Sequence, residues 1–168
     1  MGAGRDERAS VRAAQRGFAS GIEALFRLHW PRAYRAAFLV VHDEGAAEDI
    51  AQEAFLAAVR NLDRFDRGRP FGPWLHRIVV NRAIDWTRAR RLRGEAELVD
   101  AEAPEQPGHL DASLLGALAG LPPEHRAVIV LRHLLEYTPG EIAELLGLPR
   151  GTVNSRLRRG LDALKETV

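Results

Sequence analysis

Two groups of side chains have the types and spacing to bind nucleic acid, and they suit different forms of it. Between residues 150 and 164, Val153, Leu157, Leu161 and Leu164 fall on one side of a helical pattern. Arg150, Thr152, Asn154, Ser155, Arg158 and Arg159 fall on the other. These are the residue types that hydrogen-bond base edges and phosphates in a major groove. Some seventy residues upstream, "RFDRGRPFGPWLHRIVVNRAIDWTRARRLR" interleaves Phe65, Phe71, Trp74 and Trp86 with arginines. Aromatic rings stack on unpaired bases while cations hold the phosphates, a combination that fits single strands better than a duplex. Arg77, Asn81, Asp85 and Arg88 follow there at i, i+4, i+8 and i+11, one side of a helix. Core packing accounts equally well for Trp86, and better for Trp74 and Phe71. A chain with one module for duplex and one for single strands would bind DNA where it opens.

Each group needs an element to hold it. Thr138-Pro139-Gly140-Glu141 has the form of a capping box, with Thr138 as N-cap and proline at the first helical position. Ile142, Leu145 and Leu146 give that helix a buried stripe, Ala143 leaves room for a second helix, and Gly147 supplies a left-handed stop. The result is a helix-turn-helix. A purely structural helical hairpin has the same outline, but not the same outward arginines.

For the upstream group, the pattern predicts a helix from Phe71 to Arg91, preceded by a turn at "DRFDRGRP". Before that, an acid-led helix begins near Asp43, its acids favoured by the helix dipole. An earlier helical stretch runs from Phe18 to Val41, where Pro31 predicts a kink or a new segment. Residues 1–17 read as a flexible tail. Residues 94–110, with five acids, two prolines and no Lys or Arg, read as a linker. After it, helices are expected from Asp111 to Leu121 and from Pro122-Pro123 to about Glu136. The period of two that marks strands is missing, so the fold class is all-α: two small helical domains joined by an acidic linker, the second containing the helix-turn-helix.

Composition narrows the function. The chain has 168 residues, 46% of them apolar, and a formal net charge of +1. That small charge hides segregation: ten basic and three acidic side chains between 60 and 93, two and ten between 94 and 144, five and two from 145 onward. Clustered cations are the footprint of phosphate binding, although a solvated helix face explains either block taken alone. The absence of cysteine excludes disulfides and thiolate metal sites. No cofactor is expected. No apolar run approaches the length needed to span a bilayer, and residues 1–17 have no apolar core of the signal-peptide kind, so a cytoplasmic location is expected. An enzyme would have to rely on His125 and His133 with Glu124 and Glu136, and none of the H-E-x-x-H, P-loop or G-x-S-x-G patterns occurs. The nearer rival is a stand-alone helix-turn-helix regulator, which would need a dimer seam that the chain does not offer.

Three segments, "EDIAQEAFLAAVRNLDRF", "FGPWLHRIVVNRAIDWTRARRLR" and "LPPEHRAVIVLRHLLEYTPGEIAELLGLPRGTVNSRLRRG", resemble bacterial sigma factors. In that family they are the helix that docks on RNA polymerase, the promoter-opening helix and the upstream-reading domain. The lack of a sizeable domain between the halves is similar to the small extracytoplasmic-function (ECF) group. The resemblance implies sigma region 2 over 18–93 and sigma region 4 over 111–168. It implies that Asp49, Gln52 and Glu53 dock on the polymerase core, a partner through its beta and beta-prime subunits. Phe65, Arg77 and Asn81 would capture a base flipped from the minus-ten element, and Arg88, Arg90, Arg91 and Arg93 would hold flanking phosphates. Asn154, Ser155, Arg158 and Arg159 would read the minus-thirty-five element, with Gly151, Thr152 and Arg156 near its backbone. Asn154 departs from the many relatives that carry Lys or Arg there. The implied partners are core polymerase, promoter DNA in double- and single-stranded form, and an anti-sigma factor.

Overall fold

The fold is taken from a computed structural model that describes residues 2–94 and 111–167. The expected linker, apart from Gly94, lies outside them. The described residues form helices α1 (Gly2–Gln15), α2 (Ala19–Val41), α3 (Glu44–Arg60), α4 (Phe71–Leu92), α5 (Ala112–Ala119), α6 (Pro123–Ile129), α7 (Pro139–Leu146) and α8 (Arg150–Thr167). A 3-10 turn, Leu62–Arg64, follows α3, and a π-helical turn, Val130–Leu134, extends α6. No strand occurs among the described residues.

Helices α2, α3 and α4 pack closely because their facing positions are small. Ala33, Ala36, Ala37, Ala47, Ala51, Ala54, Ala58 and Ala83 are all fully buried, so the backbones approach and the large side chains Phe38, Phe55, Phe71 and Leu75 fill the space between them. Asp43 caps α3 by accepting the Ala46 N–H at 2.9 Å.

Two expectations are corrected. Residues 2–15 form α1 rather than a loose tail, and Val11 and Ala14 are buried against α2. The close approach depends on Gly21: a Cβ there would stand 2.4 Å from Ala14 N and 2.6 Å from Ser10 O. Pro31 does not divide α2, which continues through it as one helix. The proline lies on the exposed side, where the carbonyl that its missing N–H leaves free is open to solvent rather than sealed in the core.

In the second half the capping box forms as expected. Thr138 Oγ1 accepts the Glu141 N–H at 3.3 Å, and Glu141 Oε2 accepts the Thr138 N–H at 2.7 Å. Gly147 ends α7 with φ of 65°. Helix α8 lies against α6 at Gly160, where a Cβ would come within 2.7 Å of Ile129 Cδ1. Ala143, the small residue singled out from sequence, is half-buried.

The two halves pack directly on each other, with α2 and α4 against α6, the π-helical turn and α7. Arg126 lies in this contact, fully buried. Its guanidinium donates to the carbonyls of Ala119 (3.0 Å) and Leu121 (2.8 Å) in its own half, and to that of Val40 across the boundary. Val40 and Ala119 belong to the last turns of α2 and α5, whose carbonyls have no intrahelical partner. One cation therefore caps two helix C-termini, at the negative end of each dipole. Nearby, the His76 ring nitrogen Nδ1 and the Tyr137 hydroxyl are hydrogen-bonded at 2.7 Å.

Candidate nucleic-acid interface

Helix α8 buries Val153, Leu157 and Leu164 on one side. Gly151, Asn154, Arg158 and Arg159 are exposed on the other, while Thr152, Ser155, Arg156 and Leu161 are half-buried at the margins. Arg156 turns toward α6, near enough for its charge to act on both Glu124 and His125. The second helix of the pair thus presents a polar ridge with Asn154 and Arg158 one turn apart, the spacing needed to address neighbouring base pairs in one groove.

The upstream surface is built on α4 and the turn before it. Arg77, Asp85 and Arg88 are exposed and Asn81 is half-buried, all on the side of α4 away from Phe71, Leu75 and Val79. Phe65 is corrected in one respect. Its ring is not displayed to solvent; it is 9% exposed, stacked on Trp74 at 4.7 Å and edge-on to Phe71 at 5.8 Å. Phe65 instead forms part of the wall of an open cavity of about 450 Å³, lined also by Gln15, Asp63, Asp66 and Arg67. The loop below it is shaped by Asp66, which accepts the Gly68 N–H at 2.8 Å. Trp74 and Trp86 are both half-buried, and Arg90 lies over the Trp86 ring at 5.1 Å.

Several of the arginines have carboxylate partners. Arg82 pairs with Glu53 at 3.0 Å, Arg90 with Asp43 at 3.4 Å, and Arg88 reaches across the boundary to Glu124 at 2.7 Å. The Glu124 carboxyl is pulled up by burial, but its own backbone N–H and Arg88 outweigh this and hold it below the usual range. Arg91 and Arg93 are exposed at the end of α4. No group of His, Asp and Glu suited to a metal ion occurs among the described residues, and no helix among them is long and apolar enough to cross a membrane.

On α3, Asp49, Gln52 and Glu53 are all exposed, with Gln52 donating to Glu48 at 3.3 Å. Sequence reasoning missed the apolar company they keep. Leu56 is 53% exposed one turn further along α3, and Phe26 is 39% exposed on α2. Phe26 stacks on Trp30, and Trp30 on Tyr34, at 4.8 and 6.0 Å. The signal was in the pattern: Leu56 falls one position outside the stripe of Ile50, Ala54, Phe55 and Ala58.

The chain matches the family model "Sigma-70 region 2" over residues 25–93 and "Sigma-70, region 4" over residues 111–164. It is 39% identical to the ECF RNA polymerase sigma factor SigE of Mycolicibacterium smegmatis over 155 residues, 86% of this chain and 60% of that one. To SigW of Bacillus subtilis, also an ECF RNA polymerase sigma factor, it is 30% identical over 174 residues, 93% of both chains. Among solved structures, CnrH in complex with the cytosolic domain of CnrY superimposes with a TM-score of 0.73 at 28% identity, over 96% of each chain. The sigma factor RpoE of Bartonella quintana, solved with the anti-sigma factor NepR, gives 0.76 at 26% identity, over 86% of this chain and 94% of that one. A region 2 built around α2 to α4 and a region 4 ending in a helix-turn-helix, in this order and with so short a connection, place the chain in the extracytoplasmic-function group of bacterial RNA polymerase sigma factors, which direct promoter-specific initiation of transcription.

Proposed function

We propose that this sigma factor divides its work among three surfaces. Asp49, Gln52 and Glu53, with the neighbouring Leu56 and Phe26, dock on the core polymerase. Helix α8 reads the minus-thirty-five element through Asn154, Ser155, Arg158 and Arg159, while Gly151, Thr152 and Arg156 approach the phosphates. The cavity beside Phe65, with Arg77 and Asn81 on α4, takes a base extruded from the minus-ten element, and Arg88, Arg90, Arg91 and Arg93 hold the strand on either side. Core polymerase and an anti-sigma factor are its protein partners, and it acts in the cytoplasm, where the polymerase is.

One observation supports this reading: a single chain presents two polar surfaces of different shapes. The polar ridge of α8 suits a groove. The open cavity beside Phe65 is lined by that aromatic ring, the Gln15 amide, Asp63, Asp66 and Arg67, a mix of one ring with hydrogen-bonding groups that suits a single unstacked base. Because extrusion costs a few kcal/mol, a duplex reader alone cannot hold a template open; the second surface supplies the compensating contacts. Arg88 is engaged by Glu124, so its phosphate contact requires that pair to part, at about 0–1 kcal/mol for an exposed ion pair.

Asn81→Ala tests the assignment. Core binding and closed-complex formation should stay near wild type, while permanganate reactivity of unpaired thymines falls. On a template carrying a pre-melted bubble, abasic at the captured position, mutant and wild type should become equal. An equal lag of the mutant on that template would show that Asn81 does not act by holding a base.

A further inference from the structure

We propose that the N-terminal helix α1 is a working part of the base-reading loop and that Gln15 is the residue that positions it. This rests on the reading of the loop given above. Gln15 closes α1, and its Nε2 donates both protons across to the turn: to the carbonyl of Leu62 at 2.9 Å and to that of Phe65 at 3.2 Å. Those two carbonyls bracket the 3-10 turn that delivers Phe65 to the cavity wall. The turn also closes internally, with the Phe65 N–H on the Leu62 carbonyl at 3.0 Å. The amide thus holds both ends of a four-residue turn from outside, and it is itself a lining group of the cavity.

The price of this arrangement is visible. With both N–H groups committed, Gln15 Oε1 is left buried without a hydrogen-bond partner. An unmet buried acceptor lowers stability, so the residue is better explained by where it holds the turn than by what it adds to the fold. Helix α1 is itself firmly seated. Val11 and Ala14 are buried, Gly21 admits its backbone, and Glu7 Oε1 lies 2.7 Å from His29 Nε2. A seated helix and a two-point amide clamp give the loop a fixed shape before any base arrives. A pocket that need not be ordered on binding keeps more of its interaction energy for the base.

The test uses the full chain reconstituted with core polymerase, and two near-isosteric variants. Gln15→Glu keeps size and reach but cannot donate and confronts two carbonyl oxygens; Gln15→Met keeps packing and donates nothing. Both should bind core within about twofold of wild type. Open complex at the best promoter should fall about tenfold, the scale of one or two lost hydrogen bonds, with Gln15→Glu at least as defective as Gln15→Met. The four bases at the position where the wild type discriminates most should become less distinct. Gly21→Ala, which displaces α1 without touching the loop, should reproduce the loss.

If both Gln15 variants open promoters and discriminate bases as wild type does, the proposal is wrong. It is also wrong if they lose activity equally on all four bases and on a pre-melted template. A defect in Asn81→Ala with none in the Gln15 variants overturns this inference alone, whereas wild-type behaviour of Asn81→Ala and the Gln15 variants together overturns the base-capture reading with it.

Discussion

Truncating Arg126 to alanine tests how the two halves are joined. The side chain is fully buried, and among the described residues its guanidinium serves three carbonyls: Val40 at the end of α2, Ala119 at the end of α5, and Leu121 in the turn before α6. Alanine removes all of these charge-assisted bonds and strands the acceptors in a dry interior. Each stranded carbonyl costs about 1–3 kcal/mol, offset by the relief of no longer burying a cation. Three such acceptors, less that relief, give an expected loss of about 4 kcal/mol. For a chain of this size that lowers Tm by about 10 °C. Urea denaturation followed by helical circular dichroism measures the loss. Small-angle scattering measures the separate cross-boundary share, since a compact chain of this length should have a radius of gyration near 15 Å and the variant a larger one. A loss below about 1 kcal/mol with unchanged dimensions would refute the account of Arg126 as a shared cap.

Two further outcomes follow from the site and the buried histidines. Arg158→Ala should weaken binding at promoters with a good minus-thirty-five element by about 1–3 kcal/mol, the scale of a bidentate base contact; footprinting of the holoenzyme measures it. Melting should survive once binding is forced by concentration, and normal binding with failed melting would reverse the roles of the two halves. His76 and His42 are both pushed down to about 4, by burial first; the positive charges of His29 and Arg32 add to the effect at His76, and that of Arg126 at His42. The unfolded chain takes up these protons below about 6.5 and the native state does not. Their contribution is therefore complete above about pH 6.5 and is lost as pH falls toward 4, by up to about 3 kcal/mol for each. Urea midpoints should drop between pH 7.5 and 5, and His76→Gln should flatten that slope; an unaltered slope would count against the burial of a neutral ring.

Much of the fold was legible because its signals are local. The Thr138 to Glu141 cap, the Gly147 stop and the apolar stripe of α8 each occupy a few consecutive residues, and each formed as the pattern predicts. Helix α1 was not legible for the opposite reason. Its own stripe is only Val11 and Ala14, and what seats it is an absent side chain at Gly21 in another helix. Of the two outcomes that Pro31 predicts, a new segment does not occur, since α2 continues through the proline on its exposed side, and exposure cannot be read from spacing alone. The burial of Phe65 was not legible: adjacency to arginines indicates a surface, while the stacking on Trp74 is a contact nine residues away. Arg126 gave no signal at all. Its partners among the described residues are main-chain carbonyls, which every residue has, and one of them lies 86 residues earlier.

The pairing of arginines with carboxylates on the proposed promoter-facing side has a consequence for where the protein spends its time. A bare cationic stripe would adhere to any stretch of genome, because releasing ions from phosphates drives binding without regard to sequence. Under the proposed assignment, Glu124 and Asp43 sit where phosphates would, beside Arg88 and Arg90. Contact with random DNA becomes an exchange of one anion for another, with little left to drive it. A correct promoter adds base contacts to that even exchange and tips it. On that assignment the chain carries its own decoy, and the genome's vast excess of wrong sites should compete for it weakly.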